Sequence, residues 1–173
     1  MNSHKRYSRL LIKLLFGTVF LFCFNFSFAQ PVLPQKSITV KPTQQLYFGT
    51  LCVTGAGGGT VTVNWDGSRS SSGEIILLSA PPLAQPGIFE IKLCQGRNVY
   101  FEFDPQVILL TGPGPSLSLK LGPTNHGDQG APFVTNSDCN FITPLLVGGT
   151  LTVPGTALPG IYTGYYSINF FQQ

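Results

Sequence analysis

The chain has 173 residues, with 10 Lys plus Arg, 7 Asp plus Glu and 2 His. Four of the basic residues, Lys5, Arg6, Arg9 and Lys13, crowd the first thirteen positions, where no acid offsets them. Beyond residue 29 the balance is therefore 6 against 7, a net charge of −1. The basic character belongs to the N-terminus alone and gives the rest of the chain no warrant for binding nucleic acid or an anionic membrane.

The first element is a leader. Behind the basic residues comes an apolar run from Leu14 to Phe24, and the stretch ends at Ser27-Phe28-Ala29, a small-x-Ala site. A charged start, an apolar middle and a small-residue cleavage site define a secretory signal peptide. A membrane anchor needs about 20 apolar residues, and this run is shorter, with Asn25 near its end. Lipid attachment at Cys23 is disfavoured because bulky Phe20-Leu21-Phe22 precedes it. The expected division is a signal peptide over 1–29, a flexible mature N-terminus over 30–36 with Pro31 and Pro34, and a single β-sandwich domain over 37–173. The expected location is the periplasm, the cell surface or the extracellular space.

The 144 residues after the leader suit one domain, large enough to bury most of its apolar surface. All 14 Pro and 19 of the 20 Gly lie there, spread between apolar runs, and no long helical pattern occurs. This is the punctuation of many short strands and turns.

In chain order, Ile38 and Val40 alternate with Ser37, Thr39 and Lys41, which predicts a short strand ended by Pro42. Leu46 to Val53 reads as the next strand, and Gly55 to Gly59 as a loose turn. Thr60 to Trp65 alternates cleanly, with β-branched residues that suit a pleated surface. Asp66-Gly67 opens a turn running to Gly73. Glu74 to Leu78 is apolar on both faces and reads as a central strand. Ala80 to Pro86 is a Pro-rich crossing.

Gly87 to Leu93 alternates again, and Gln95-Gly96-Arg97-Asn98 turns the chain into Val99 to Phe103, with Val99, Phe101 and Phe103 on one face. Val107 to Thr111 and Ser116 to Leu121 flank Gly112-Pro113-Gly114-Pro115. Residues 122–140 form the longest polar stretch, a surface loop that touches a sheet edge through Phe133-Val134. Leu145 to Val153 is a strand. Tyr162 to Phe171 is the last, with Tyr162, Gly164, Tyr166, Ile168 and Phe170 on one face. Nine to eleven short strands at spacings near ten residues predict an all-β fold, an immunoglobulin-like antiparallel β-sandwich of two sheets.

Several phrases stand out together: Leu46-Tyr47-Phe48-Gly49, Gly59-Thr60-Val61-Thr62-Val63, Asp66-Gly67-Ser68-Arg69, Val147-Gly148-Gly149-Thr150-Leu151-Thr152-Val153 and Gly160-Ile161-Tyr162-Thr163-Gly164. In this order they resemble the DUF4402 family of exported bacterial domains of unknown function, over about residues 37–171. The resemblance implies a pilin-like β-sandwich and brings no catalytic residues with it.

The candidates for chemistry are few. His126 is the one histidine beyond the leader, and a Cys/His or Ser/His/Asp machine would have to use it. Cys139, Asp128 and Asp138 lie near it in sequence. Asp128, Asn136 and Asp138 offer oxygens but match no calcium loop, and His126 with Cys139 is half a zinc set. These residues are read as a polar loop. Gly55 to Gly59 lacks the following helix and Lys-Ser/Thr of a phosphate loop, so it is read as a hairpin turn. Glu74, Glu90 and Glu102 fall on separate strands, with no sign of a shared cleft. Tyr47, Trp65, Tyr100, Tyr162, Tyr165 and Tyr166 are the aromatics of a possible glycan platform or of ordinary sheet packing. No catalytic residue, cofactor site or metal site is assigned.

Three cysteines follow the leader: Cys52, Cys94 and Cys139. An odd number leaves one over. One intrachain bond plus one free or partner-bound thiol, or three reduced buried cysteines, both fit, and the sequence does not choose among the three pairings. The function expected from all this is a non-enzymatic exported surface protein, a pilin- or fimbria-like structural or adhesive subunit. Its partners would be copies of itself or other exported subunits, joined by strand addition. The alternative is a self-contained secreted module binding a glycan or protein ligand.

The leader makes one prediction directly. Mass spectrometry of the N-terminal peptide, on protein taken from the native envelope, is expected to place the mature start within about two residues of Gln30. A retained leader would contradict both cleavage and export.

Overall fold

Alternation of β-branched and polar residues builds an all-β molecule. The computed structural model describes residues 38–93, 97–138 and 140–172. Residues 1–37, 94–96, 139 and 173 lie outside the described residues, and with them the expected leader and flexible mature start, Cys94 and Cys139. Twelve strands follow in order: β1 Thr39–Gln44, β2 Leu51–Val53, β3 Gly59–Val63, β4 Arg69–Gly73, β5 Ile75–Leu77, β6 Gly87–Lys92, β7 Asn98–Asp104, β8 Val107–Leu110, β9 Leu117–Thr124, β10 Phe133–Val134, β11 Thr143–Val153 and β12 Ser167–Gln172. Every strand pairing is antiparallel.

The longest strand, β11, organises the main sheet. Its first half, Thr143 to Val147, pairs with β6. Its second half, Gly149 to Val153, pairs with β3. The same second half also pairs with β9, and Val147 is shared between Gly87 of β6 and Thr124 of β9. A strand has two hydrogen-bonding edges, so β9 holds one and β6 and β3 follow each other along the other. The changeover falls at Gly148. A Cβ on Gly148 would run into the Val63 carbonyl oxygen, and one on Gly149 would lie 2.9 Å from Leu119 and 3.0 Å from Leu46. The sheet is completed by β1 on β6, β4 on β3 and β8 on β9. A second sheet has the order β10-β7-β12, and β2 and β5 form a two-stranded ribbon.

The two larger sheets meet over one core. Val61, Ile91, Leu119, Leu145, Val147 and Leu151 from the main sheet pack with Val99, Phe101, Phe103 and Phe133 from the second. Phe101 is wholly buried and lies 5.3 Å from Phe103 and 6.3 Å from Phe133, ring centre to ring centre. The alternation expected at Val99 to Phe103 is present, as are strands within Val107 to Thr111 and Leu145 to Val153, the antiparallel sandwich and the sheet-edge contact of Phe133-Val134.

Five element expectations are corrected. Pro42 does not end the first strand. β1 runs on to Gln44, with a register shift between Pro42 and Gln44, because an edge strand tolerates a residue without an N–H. The Leu46 to Val53 strand shrinks to β2, since Gly49 has φ +72° and only Tyr47 before it makes a bridge, to Gln85. The Asp66 to Gly73 turn closes at Ser68, whose carbonyl accepts the Asn64 N–H at 2.9 Å. The serines beyond it form β4, with Ser72 and Thr60 hydroxyls 2.7 Å apart. Glu74 to Leu78 is not central: β5 pairs with β2 alone and leaves Ile76 54% exposed.

The last correction concerns the C-terminal strand, which begins at Ser167. Thr163 exchanges two backbone hydrogen bonds with Thr111 at 2.8 and 2.9 Å, holding it to the end of β8. The chain must then cross to the other sheet before pairing with β7. Tyr162, Tyr166, Ile168 and Phe170 nonetheless all pack on the core as expected.

Two stability predictions follow from this packing. Gly148→Ala is expected to cost about 1–3 kcal/mol in urea unfolding, because the new methyl meets backbone rather than a flexible side-chain end. Phe170→Ala, which strips a ring from the core, is expected to cost about 3 kcal/mol. Phe171→Ala, on the other face, removes a stacked contact with Tyr100 at 4.9 Å and should cost about 1 kcal/mol. Equal losses at Phe170 and Phe171 would refute the assignment of faces.

Candidate functional site

Backbone at a sheet edge has unpaired N–H and C=O groups and can take up another strand. Such edges are usually protected by charge, proline, a bulge or brevity. Here β1 carries Lys41, Pro42 and a register shift. β4 is a polar strand starting with Arg69, and the Ser71 hydroxyl donates to the Ile75 carbonyl at 3.2 Å, tying it to β5. β8 has four residues and the Thr111–Thr163 bridge at its end, and β10 has two.

β2 and β5 each have one partner too, but only three residues apiece. The longer edge left is β12, Ser-Ile-Asn-Phe-Phe-Gln. It carries no charge, no proline and no register shift, and among the described residues it pairs with β7 alone. Ile168 and Phe170 face the core but are only half-buried, so the core itself is thinly covered along this edge. β12 is the candidate interaction site.

The residues singled out for chemistry are held in structural roles. His126 stacks on Phe133, with ring centres 4.3 Å apart and planes at 10°, and its Nε2 lies 3.0 Å from the Pro144 carbonyl. Asn125 clamps the same strand, donating to the Pro144 carbonyl at 3.0 Å and accepting the Leu146 N–H at 2.8 Å. Asp138 accepts the Asn140 backbone and side-chain N–H groups at 2.9 and 3.1 Å, and Asn136 accepts the Asp138 N–H at 3.1 Å. These oxygens therefore close their own turn. Among the described residues no group of three or more His, Cys, Asp or Glu stands where it could hold a metal ion; Cys139 lies outside that set.

The glycine loop 55–59 wraps the chain's own Glu74. The Gly57 N–H donates to the Glu74 carboxylate at 2.6 Å, and a side chain on Gly55 would collide with it. Glu90 stands opposite Lys41 in the main sheet, and Glu102 opposite Asn169 in the second.

Three of the six aromatics are packing elements. Tyr100 stacks on Phe171. Tyr166 meets Phe89 edge-on at 6.2 Å, and burial pushes its hydroxyl above the ordinary tyrosine range. Tyr162 lies against Gly112 and Gly114, while its hydroxyl donates to the Leu158 carbonyl at 3.0 Å and accepts the Leu158 N–H at 3.2 Å. Tyr47, Trp65 and Tyr165 are exposed, Tyr165 to 94%.

One important residue carried no chemical signal in the sequence. The Arg69 guanidinium donates to the Thr50 carbonyl at 2.8 Å and the Leu78 carbonyl at 3.2 Å, and burial lowers its pKa from the ordinary arginine value. Its Nη1 would lie 3.1 Å from a Cβ on Gly49, so the glycine makes room for the charge. The side chain pins the β2–β5 ribbon to β4.

The phrases noted in the sequence occupy this framework. Gly59 to Val63 is β3, paired residue for residue with Gly149 to Val153. Leu46 to Gly49 and Asp66 to Arg69 meet where Arg69 faces Gly49. No curated protein and no solved structure matches the chain. The family model described as "Domain of unknown function (DUF4402)" matches residues 38–170, which covers nearly all the strands above, and the chain belongs to the DUF4402 family.

Proposed function

We propose that the chain is a non-catalytic exported surface protein, a pilin- or fimbria-like subunit that joins neighbours by strand addition at β12. The observation that carries this reading is the unprotected edge. Among the described residues it offers the backbone of Ser167 to Phe171, without charge or proline, above half-buried Ile168 and Phe170. An added strand would gain main-chain hydrogen bonds along β12 and would place alternate side chains over the thin part of the core. The donor is a second copy or another exported subunit. The chain's own first strand is not free to serve as the donor: Ile38 and Val40 pack on their own core, and Val40 pairs with Ile91 of β6. Removing residues 30–41 would therefore damage the sandwich.

A second reading has its own support. Two rows of side chains cross the outer face of the main sheet in register. Lys120, Thr150, Thr62 and Ser70 form one; Ser118, Thr152, Thr60 and Ser72 form the other. Seven of these eight carry hydroxyls. Such a face suits a neutral hydroxylated ligand such as a glycan.

The assembly reading is tested by sizing the purified mature protein over a range of concentrations, alone and with the other exported proteins of its host. Strand-linked oligomers are expected, and Asn169→Lys, a charge on the exposed side of β12, should abolish them while stability moves by less than about 0.5 kcal/mol. A protein that stays monomeric in every mixture and binds a defined glycan would replace this reading with the second.

A further inference from the structure

Two edges of the molecule carry opposite charge on their outer faces. Among the described residues β12 pairs with β7 alone and β1 with β6 alone. Beside β12, Glu102 stands opposite Asn169 and Asp104 opposite Ser167. Both acids are exposed, and Ser167 to Phe171 include no cation to offset them. At the other edge Lys41 stands on β1 itself, and Lys92 lies opposite Thr39. Both lysines are exposed. Glu90 lies opposite Lys41, so this edge has two cations to one acid, against two acids and no cation at β12.

Both edges are apolar on the inner face. Ile38 and Val40 at β1, like Ile168 and Phe170 on β12, are half-buried and pack on the core. One antiparallel register between the two edges matches all of these features. It sets Val40 against Ile168 and Ile38 against Phe170, which continues the apolar face. It sets Lys41 against Ser167 and Thr39 against Asn169 on the outer face. Asp104 then lies one strand beyond Ser167, in line with Lys41. Neighbouring strands lie about 4.8 Å apart, so the backbones of Lys41 and Asp104 would stand about 10 Å apart. Only a serine lies between them, and the long lysine stem spans it.

We propose that the edge of β12 on one copy takes up the outer edge of β1 on the next, so that copies join head to tail with Lys41 facing Asp104. This occupant rests on the reading above, that β12 takes up a strand. β1 stays in its own sandwich: Ile38 and Val40 keep their core, and only the backbone groups on the side away from β6 are used. Lys41 deters pairing with other strands because its charge meets no counter-ion there. Asp104 supplies one, which turns a guard into a choice of partner. The same charges disfavour the symmetric pairings. β12 on β12 gathers the acids of two copies on one face, and β1 on β1 gathers their lysines; like charges so placed oppose association. An interface between two different patches builds beyond a dimer, whereas a two-fold one closes at two.

Sedimentation velocity of the purified mature protein, beside Lys41→Glu and Asp104→Lys, tests the pairing. The wild type is expected to form oligomers larger than dimers, and these should weaken between about 50 and about 500 mM salt as surface charges are screened. Each variant alone turns like charges on itself and should associate at least about ten-fold more weakly. An equimolar mixture of the two should restore assembly, because each then meets the opposite charge on the other. Carbodiimide treatment of wild type mixed with isotope-labelled wild type depends on no variant folding. It should join Lys41 to Asp104 by an amide bond with loss of water, linking tryptic peptides 37–69 and 98–120 across the two isotopes. Variants that assemble like the wild type, a mixture that stays apart, a wild type that stops at a dimer or joins only a different exported protein, or the absence of the cross-isotope link would overturn the pairing. Oligomers blocked by Asn169→Lys but indifferent to Lys41→Glu would keep β12 as the joining edge and remove β1 as its occupant. Oligomers that survive Asn169→Lys would remove the β12 reading itself, and this pairing with it.

Discussion

The structure depends on a single strand whose backbone is used on both edges. β11 takes β9 along one edge and β6 and then β3 along the other. Handing one edge from β6 to β3 requires a point where a neighbouring backbone approaches closely. Gly148 supplies it, because the Val63 carbonyl occupies the space of a Cβ. Gly149, on the core side, lets Leu46 and Leu119 close over the strand. β9 makes the matching adjustment: Thr124 pairs with Val147 and Leu121 with Gly149, so it fits three steps to two, with Gly122 at φ +101° and Pro123 in the gap. The inward alternation of β11 survives the handover, since Leu145, Val147, Leu151 and Val153 are all buried. One strand thus lines the core from end to end while joining two groups of partners.

The β2–β5 ribbon has no such central strand, and an isolated pair of three-residue strands has little stability of its own. Arg69 compensates by donating charge-assisted hydrogen bonds to carbonyls on both sides of the ribbon, Thr50 before β2 completes its pairing and Leu78 just after β5. Hydrogen bonds to a charged group contribute about 1.5–3 kcal/mol, enough to matter for so small a unit. The approach to Arg69 explains why Gly49 follows Phe48, and the Asp66-Gly67-Ser68 turn explains how Arg69 begins a strand. The Ser68 hydroxyl and N–H hold the Asp66 carboxyl below its ordinary pKa, so that turn is closed by its own acid. Two of the phrases that resemble the family are therefore halves of one contact.

Legibility in the sequence followed burial. Where one face meets the core, as at Val99-Phe101-Phe103, period-two alternation marked the strand. Where strands meet solvent on both faces, the pattern failed. Ser70-Ser71-Ser72 looked like a turn and is β4, because hydroxyls paired across to Thr60 can replace apolar contacts at an edge. Glu74 to Leu78 looked central because its apolar residues run together, although Ile76 points to solvent. The Tyr162 face was read correctly as core-facing and incorrectly as one strand, since packing on the core does not report which sheet a residue pairs with. The β12 edge could not be read at all: which strand lacks a second neighbour is a property of topology.

The polar loop and the glycine loop bear on function in a common way. Each contains groups that chemistry would use, and each spends them internally: His126 and Asn125 on Pro144 and Leu146, Asp138 on Asn140, and the Gly57 N–H on Glu74. A loop whose donors and acceptors already satisfy one another has fewer of them left for a ligand. The same logic applied to the sheets gives the opposite result at one place. β4 and β8 each meet some part of their own chain on the outer side, β1 is guarded by Lys41 and Pro42, and β10 is too short to recruit a strand. β12 has six residues of ladder and a half-covered core beneath them. Among the described residues, the stretch from Ser167 to Phe171 is thus an uncharged edge without a second strand, and its Ile168 and Phe170 reach the core. Such an edge is an aggregation hazard for a solitary protein and a place where a partner's strand can add, which is the property that the proposed assembly uses.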